Sequence, residues 1–388
     1  MNMRTVAIVL FIIFVISTAG CATHKDPDPV APALLRDDIF PSYTLFPVET
    51  NREIFALGED AIKFVNQTQA INHTPKQNIS QLARQIFDHA ELGLLYRSNA
   101  NSVAAETFAN RAANCLSLSI LTYSMARAAG FTPQFYQVDI PEYWTRREGY
   151  NLLNGHINLR IAPTQNSQQI TLRDVFVDVD FDPQAIRSHF KRVAIDKERV
   201  VAMFYNNKGA DALLADRYTR AYAYFRAAAK TDPTLGQAWV NLGVLYRKQG
   251  EYAAAQQSYQ KAIAMDEENL TAWENLAVLY RLSDRQNRAD DIQARLRAKR
   301  QANPFYHFIL GEEALDNGRT KQALSHYRQA LKLDRRHHEV LFGLGKAYYA
   351  LGDISRAEAY LTRAAAMADS AQDKHRYNSK LSALQTAN

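Results

Sequence analysis

A repeat of 34 residues in the second half of the chain constrains the fold more than any other feature. Small residues recur at this spacing in two phases: Gly209, Gly243, Ala277, Gly311 and Gly345, and Ala221, Ala255, Ala289, Ala323 and Ala357. A period of this length is typical of a helix–turn–helix unit that stacks on copies of itself. Small side chains at fixed positions let the two helices of a unit approach closely. The spacing therefore predicts an all-α solenoid.

Large side chains follow the same period. The position four residues before the first small residue holds Tyr205, Trp239, Trp273, His307 and Leu341. This pattern resembles tetratricopeptide repeats. The resemblance implies five repeats within residues 199–388, starting near 202, 236, 270, 304 and 338, and a polar capping helix at the end. We interpret the aromatic residues as packing residues.

Four polar residues occupy equivalent positions of the second and third repeats: Asn241 and Asn275, and Arg247 and Arg281. In tetratricopeptide proteins these positions often face the concave groove. An Asn amide can hold the backbone of an extended peptide, and an Arg guanidinium can hold a carboxylate. The four residues thus predict a groove that binds protein or peptide partners. The alternative is an ordinary solvated helix face.

Residues 1–20 predict an export signal. One charged residue, Arg4, precedes an apolar run from Val6 to Ile16. The run is shorter than the roughly 20 residues needed to span a bilayer, and it fits the apolar region of a signal peptide. The ending Thr18–Cys21 resembles a bacterial lipobox. This resemblance implies a lipid on Cys21 and an anchor on the periplasmic face, with the outer membrane favoured. Cleavage without lipid attachment is the alternative.

Residues 21–38 contain three prolines among charged and small residues, and they predict a flexible tether after the lipidated cysteine. The formal net charge of the chain is +6, with basic and acidic residues mixed over most of its length. We find no nucleic-acid-binding motif and no metal or nucleotide fingerprint. We therefore expect no nucleic-acid partner, no metal and no cofactor.

Cys115 is the one cysteine that the lipid assignment leaves. A thiol in an oxidising compartment is open to oxidation unless it is buried or used chemically. It precedes an apolar helical run, 116–129, which Gly130 ends. The start of a helix favours a thiolate, because unpaired N–H groups and the positive end of the helix dipole lie there. A small buried hydrophobic residue is the alternative role.

Three predicted strands follow this helix, at 134–140, 155–161 and 174–181. His156 lies at the start of the second strand. A histidine can deprotonate a thiol and later protonate a leaving amine, and a carboxylate behind it fixes its tautomer. Asp178, Asp180 and Asp182 alternate along or just past the third strand, so the pattern alone does not choose among them.

The motifs at 113–118, 155–159 and 179–183 resemble the bacterial transglutaminase-like superfamily, in the branch where such a domain precedes tetratricopeptide repeats. The resemblance implies an α+β papain/transglutaminase-like domain over residues 39–198, followed by the all-α solenoid. It also implies Cys115 as the nucleophile, His156 as the general base and acid, and Asp180 as the orienting carboxylate. Ala113 and Gly155 replace residues that the family usually has as Gly and Asn.

Two functions remain open at this point. The first is a membrane-anchored envelope enzyme, a cysteine hydrolase or acyl transferase that acts on peptide or amide bonds through a thioester while the repeats recruit protein partners. The second is a non-catalytic adaptor that binds envelope proteins through its repeats. The presence of all three catalytic groups favours the first function.

The lipid anchor can be tested directly. We expect the wild-type protein to fractionate with membranes and to incorporate labelled fatty acid, and we expect Cys21→Ser to lose both properties. Cys115→Ser is the matched control and should keep both. Unlabelled wild-type protein in the soluble fraction after lysis would contradict the prediction.

Overall fold

The computed structural model describes residues 34–68, 74–87, 95–96, 100–110, 112–138, 144–147, 150–153, 156–164, 176–179, 191–368 and 371–386. Arg36–Asn388 form one compact unit. The predicted signal peptide and Cys21 lie outside the described residues, as do Asp180 and Asp182. Among the helices in the described ranges, none is both long enough and apolar enough to cross a bilayer.

The N-terminal region mixes short helices with a small sheet. A 3-10 helix, Pro41–Leu45, comes first. The α-helices that follow are α1 (Asn51–Phe55), α2 (Glu59–Thr68), α3 (Pro75–Phe87), α4 (Ala104–Asn110) and α5 (Cys115–Ala128). A capping box fixes the start of α1, where the Thr50 hydroxyl accepts from the Glu53 N–H and the Glu53 carboxylate accepts from the Thr50 N–H.

The described strands are β1 (Leu95–Tyr96), β2 (Ala112–Ala113), β3 (Phe131–Val138), β4 (Trp144–Arg147), β5 (Tyr150–Leu153), β6 (His156–Pro163), β7 (Val177–Val179) and β8 (Arg192–Ile195). Four of them form an antiparallel sheet in the order β7-β6-β3-β8. Strands β4 and β5 form a separate antiparallel pair, and β1 pairs with β2 in parallel. The three strands predicted from the sequence correspond to β3, β6 and β7.

One face of the four-stranded sheet holds the core of this region. Phe135 pairs with Leu159, and both side chains are buried on the same face. The ring of Tyr123, on α5, stacks on Phe135 with centroids 4.6 Å apart. Helix α5 therefore packs on this face, and the alternation along β6 puts Arg160 on the other face. The α+β class is observed here as a small sheet, and the papain-like relationship stays a prediction.

Ten helices follow within the continuously described range 191–368. They are α6 (Lys197–Leu214), α7 (Tyr218–Thr231), α8 (Gly236–Lys248), α9 (Tyr252–Met265), α10 (Leu270–Leu282), α11 (Gln286–Gln301), α12 (Pro304–Asp316), α13 (Thr320–Leu333), α14 (His338–Ala350) and α15 (Ile354–Met367). Four of the five predicted repeat starts coincide with the first residue of a helix. The first helix begins earlier, at Lys197. The repeat prediction is confirmed.

Helix α16 (Ala371–Thr386) covers the open end of the last repeat. The Tyr377 ring is fully buried, and it stacks on Phe342 of α14 with centroids 4.6 Å apart. Its hydroxyl lies 2.9 Å from Nδ1 of the buried His338. A polar helix with one buried aromatic anchor is what the end of a solenoid needs, because its outer face meets water.

Aromatic rings of the second helix of a repeat lie directly on glycines of the first helix. A Cβ on Gly243 would come within 2.7 Å of Cδ1 of Tyr259, and a Cβ on Gly209 within 2.6 Å of Cε1 of Phe225. The third repeat has Ala277 at the glycine position, and there the ring position holds Gln293. Repeats one, two and four thus combine a glycine with a ring, and repeat five has Leu361 over Gly345 instead.

We expect Gly243→Ala to destabilise the solenoid by about 1–3 kcal/mol, because the added methyl group must displace the Tyr259 ring. The matched control is Gly236→Ala on the same helix, where the nearest atom is the Asn269 amide nitrogen at 3.5 Å. That variant should be neutral or slightly stabilising, because Ala favours the helix. Urea unfolding followed by circular dichroism measures both. Equal midpoints for the two variants would contradict the packing argument.

Candidate functional site

Cys115 is the first residue of α5, and its side chain is half-buried. Asn114 caps the helix, since its Oδ1 accepts the Ser117 N–H at 2.9 Å. The same Asn114 side chain donates from Nδ2 to Oδ1 of Asn101 at 2.5 Å. The Ser117 hydroxyl donates to the Ala100 carbonyl at 3.1 Å. These bonds attach the loop at 100–102 to the start of the helix and hold the thiol in a fixed place.

His156 is the first residue of β6 and is fully buried. Helix α5 packs against β6, so the structure brings the elements that begin at Cys115 and His156 into contact. The alternation along the strand places His156 on the same face as Arg160. That face is opposite the one that Tyr123 of α5 covers. The direct thiol–imidazole contact stays a prediction.

Asp178 is engaged by two arginines. Arg160 donates to its carboxylate from Nε at 2.8 Å and from Nη2 at 3.1 Å. Nη1 of Arg192, on β8, lies 3.1 Å from Oδ2 of the same carboxylate. Burial alone raises the pKa of Asp178, but the hydrogen bond from Arg160 and the positive charges of both arginines outweigh it and hold the pKa below its ordinary value. Asp178 is therefore paired with arginines, and the choice of the orienting carboxylate among Asp178, Asp180 and Asp182 stays a prediction.

The predicted groove residues differ in their surroundings. The Asn241 amide donates to Oδ1 of Asn206, on α6, at 2.8 Å. The Asn275 amide donates to the Thr271 carbonyl of its own helix at 2.9 Å. Both amides therefore have a donor committed to the protein.

The two arginines of the groove prediction also differ. Arg281 is exposed, whereas Arg247 is half-buried. Burial raises the pKa of the Tyr259 hydroxyl to about 12, although the adjacent Arg247 guanidinium opposes this shift. Arg247 thus packs beside Tyr259 within its own repeat and is only partly exposed, whereas the Arg281 side chain lies in solvent, where a partner can reach it.

The sequence did not identify the contact between residues 36–49, the N-terminal segment, and the first repeats. Asp37 binds Arg226 on α7, and Glu49 forms an ion pair with Lys208 on α6 at 3.2 Å. Residues 36–38 are the end of the region that the sequence assigns to a tether. A single acidic residue far from the repeats carries no periodic signal, so only the folded chain reveals the pair.

We expect Asp178→Asn to destabilise the N-terminal sheet by ~1 kcal/mol at neutral pH, because the partly exposed ion pairs are lost. The pKa of Asp178 is lowered on folding, so its contribution is present above its ordinary value of 3.8 and disappears as the pH falls through the folded-state pKa. Wild-type and variant stabilities should therefore converge in acid.

Unfolding midpoints measured from pH 7 down to pH 2 test this. Asp291→Asn makes the same chemical change at an exposed position of α11 and serves as the control. The Asp178→Asn protein should also alkylate at Cys115 at the wild-type rate. A slower rate would instead assign Asp178 to the thiol site.

Two comparisons with family models place known repeats in this chain. Residues 236–269 and residues 314–384 each match a model described as tetratricopeptide repeat. The first match coincides with the second repeat of the predicted register. No curated protein matches the chain.

Solved structures that resemble the chain include MamA, at 20% identity over 43% of this chain and 91% of MamA, with a TM-score of 0.24. YrrB, described as a TPR protein with an unusual peptide-binding site, has 18% identity over 46% of this chain and 92% of its own, with a TM-score of 0.24. PilF of Pseudomonas aeruginosa has 18% identity over 49% and 90%, with a TM-score of 0.26. At these values the likenesses say nothing about function. The family matches establish that the C-terminal part of the chain contains tetratricopeptide repeats.

Proposed function

We propose that this protein is a scaffold that binds protein or peptide partners through its tetratricopeptide repeats. The observation that carries this proposal is the uninterrupted stack of helix pairs from α6 to α15, closed by α16. Stacked repeats of this kind form extended surfaces for binding other chains. The family matches at 236–269 and 314–384 support the assignment of that stack.

The groove chemistry fits a peptide with a carboxylate. Arg281 offers an exposed guanidinium, and Arg247 lies one repeat earlier at the equivalent position. The acceptor oxygens of Asn241 and Asn275 can take backbone N–H groups of an extended chain. The proposed partner is therefore an extended segment with an acidic side chain or a C-terminal carboxylate.

The proposed place of action is the cell envelope. The lipobox-like ending at Cys21 would anchor the chain to a membrane, and the proline-containing region at 21–38 would separate the repeats from it. A scaffold held in this way would gather partners near the membrane surface without needing a reaction of its own.

Charge reversal in the groove tests the scaffold proposal. We expect Arg247→Glu combined with Arg281→Glu to reduce the recovery of specific envelope proteins in a pull-down. A matched control reverses Arg297 and Lys321, which are exposed on the second helices of repeats three and four. Both pairs change the net charge equally, so an effect of the control as large as that of the groove variant would contradict groove binding.

A cysteine enzyme is the second candidate function, with Cys115, His156 and Asp180 in the roles implied by the transglutaminase-like resemblance. The observation in its favour is that α5, which begins at Cys115, packs against β6, which begins at His156. The His156 side chain itself lies on the sheet face opposite the one that Tyr123 of α5 covers. A half-buried thiol at a capped helix start also suits a nucleophile. Both family matches lie in the repeats, so the resemblance of the N-terminal region is still to be tested.

Alkylation of Cys115 at mildly acidic pH tests the enzyme proposal. If the imidazole of His156 stabilises the thiolate, His156→Gln should slow alkylation near pH 6 about tenfold or more, as the thiol pKa returns toward about 8.5. The Cys115→Ser variant lacks this thiol, so the labelling that it loses relative to the wild type is the alkylation of Cys115. A folded His156→Gln protein with the wild-type rate would remove the second candidate.

A further inference from the structure

The N-terminal segment is held on the first two repeats by a carboxylate clamp. Both oxygens of Asp37 accept hydrogen bonds from Arg226 on α7, from Nε at 2.7 Å and from Nη2 at 3.0 Å. The Tyr222 hydroxyl donates to the same carboxylate at 2.6 Å. Burial alone raises the pKa of Asp37, but the hydrogen bonds from Arg226 and Tyr222 outweigh it, so the pKa lies below its ordinary value. The bidentate geometry selects a carboxylate.

An aromatic ring follows the carboxylate by three residues. Phe40 stacks on Tyr222 with centroids 4.6 Å apart and an interplanar angle of 16°. Its side chain is 4% exposed, so the repeats cover almost all of it. The hydroxyl of Tyr246, on α8, accepts the backbone N–H of Arg36 at 3.1 Å. The repeats thus contact one carboxylate, one aromatic ring and one backbone N–H of the N-terminal segment.

Three repeats share a tyrosine at the position that Tyr246 occupies, the other two being Tyr280 and Tyr348. An arginine of the next helix lies over each of those two rings. Arg288 is 5.8 Å from the Tyr280 centroid, and Arg356 is 5.0 Å from the Tyr348 centroid. These arginines occupy the same position of the second helix in their repeats.

The second repeat has Ala254 at that position. Helix α9, the second helix of this repeat, contains no arginine that could lie over the Tyr246 ring. The Phe40 ring lies 6.4 Å from the Tyr246 ring instead. In repeat two the N-terminal segment thus lies beside the tyrosine that an arginine of the second helix covers in repeats three and five.

We propose that Tyr222, Arg226 and Tyr246 form a peptide-binding site for a segment that turns between an aspartate and an aromatic ring three residues later, as residues 37–40 do here. The N-terminal segment of this chain occupies the site in cis, and a partner segment with the same pattern displaces it. The contacts that define the site come from Tyr222, Arg226 and Tyr246, and the predicted groove residues are not among them.

The contact has the character of an exchangeable ligand. Within residues 36–46, side-chain contacts with the repeats come from Asp37, Phe40 and Tyr43, whose ring lies 5.6 Å from that of Tyr222. Leu45 is 75% exposed. The clamp carboxylate itself is 45% exposed. Release of the segment would therefore uncover two aromatic surfaces and one guanidinium, and would leave the helix stack of the repeats in place.

Peptide binding in trans tests this site. The receptor is the full-length chain with Asp37→Asn and Phe40→Ala, which weakens its own segment. The probe is a fluorescent peptide with the wild-type sequence of residues 36–46, followed by anisotropy. We expect the variant to bind it, and we expect the wild-type chain to bind about tenfold or more weakly, because a tethered segment competes at millimolar effective concentration.

Two matched changes check the recognition. A peptide with both anchor residues replaced, as in the receptor, should bind about tenfold or more weakly, and adding Arg226→Gln to the receptor should cause a similar loss for the wild-type peptide. Arg247→Glu with Arg281→Glu should leave peptide binding unchanged, which separates this site from the groove of the proposed function. Binding that survives Arg226→Gln, or that is lost with the groove pair, would overturn the assignment.

A measurement on the wild-type chain covers the case in which the variant receptor does not fold. Saturating wild-type peptide should accelerate amide hydrogen exchange at residues 36–46, because it displaces the segment. Unchanged exchange at saturating peptide would overturn the proposal and would make the segment a permanent part of the repeat fold.

Discussion

The close approach of the two helices in each repeat is the interaction on which the rest of the structure depends. Rings such as Phe225 and Tyr259 lie on glycine backbone where no Cβ fits. This contact fixes the register between the two helices in repeats one, two and four, and the 34-residue period keeps the same register along the chain. Because the register is fixed, the residues of every surface, including the groove and the site for the N-terminal segment, take equivalent positions from one repeat to the next. Repeat three keeps the register with Ala277 and Gln293, and buries Ile292 and Leu296 on α11.

The repeats share this register but differ in their surface residues. These differences decide which side chains each repeat offers for contacts. Arg288 and Arg356 lie over a tyrosine ring in repeats three and five, while repeat two has Ala254 at that position and the Phe40 ring lies 6.4 Å from Tyr246. A change from arginine to alanine costs a repeat one cation–π contact, worth about 0.5–1 kcal/mol at an exposed site. The N-terminal segment replaces that contact with a carboxylate clamp and a stacked ring. The same scaffold thus covers this tyrosine with its own arginine in repeats three and five and with the N-terminal segment in repeat two.

The N-terminal region is not built from repeats. Its sheet is small, and its polar residues are paired across strands. Arg160 and Arg192 hold Asp178 on the sheet face opposite Phe135 and Leu159. The capped start of α5 fixes the position of Cys115, and the pairing with Val138 fixes the start of β6 at His156. These features are compatible with a binding fold and with a cysteine enzyme, and the reactivity of the thiol separates the two.

The sequence by itself determined the elements whose signal is local or periodic. The 34-residue spacing predicted the repeat helices and four of their first residues, and the alternation and flanking residues predicted α5, β3, β6 and β7. It also named Cys115, His156 and the groove residues as candidates by type and position. The tertiary structure decided what depends on distant residues. The strand β8, four mostly exposed residues, is defined by pairing with β3. The ion-pair partners of Asp178, Arg160 and Arg192, are known only from the folded structure. The same holds for Asp37, whose partner Arg226 lies 189 residues further along the chain. A carboxylate shows no partner in sequence, because the geometry that selects its guanidinium exists only after the chain has folded.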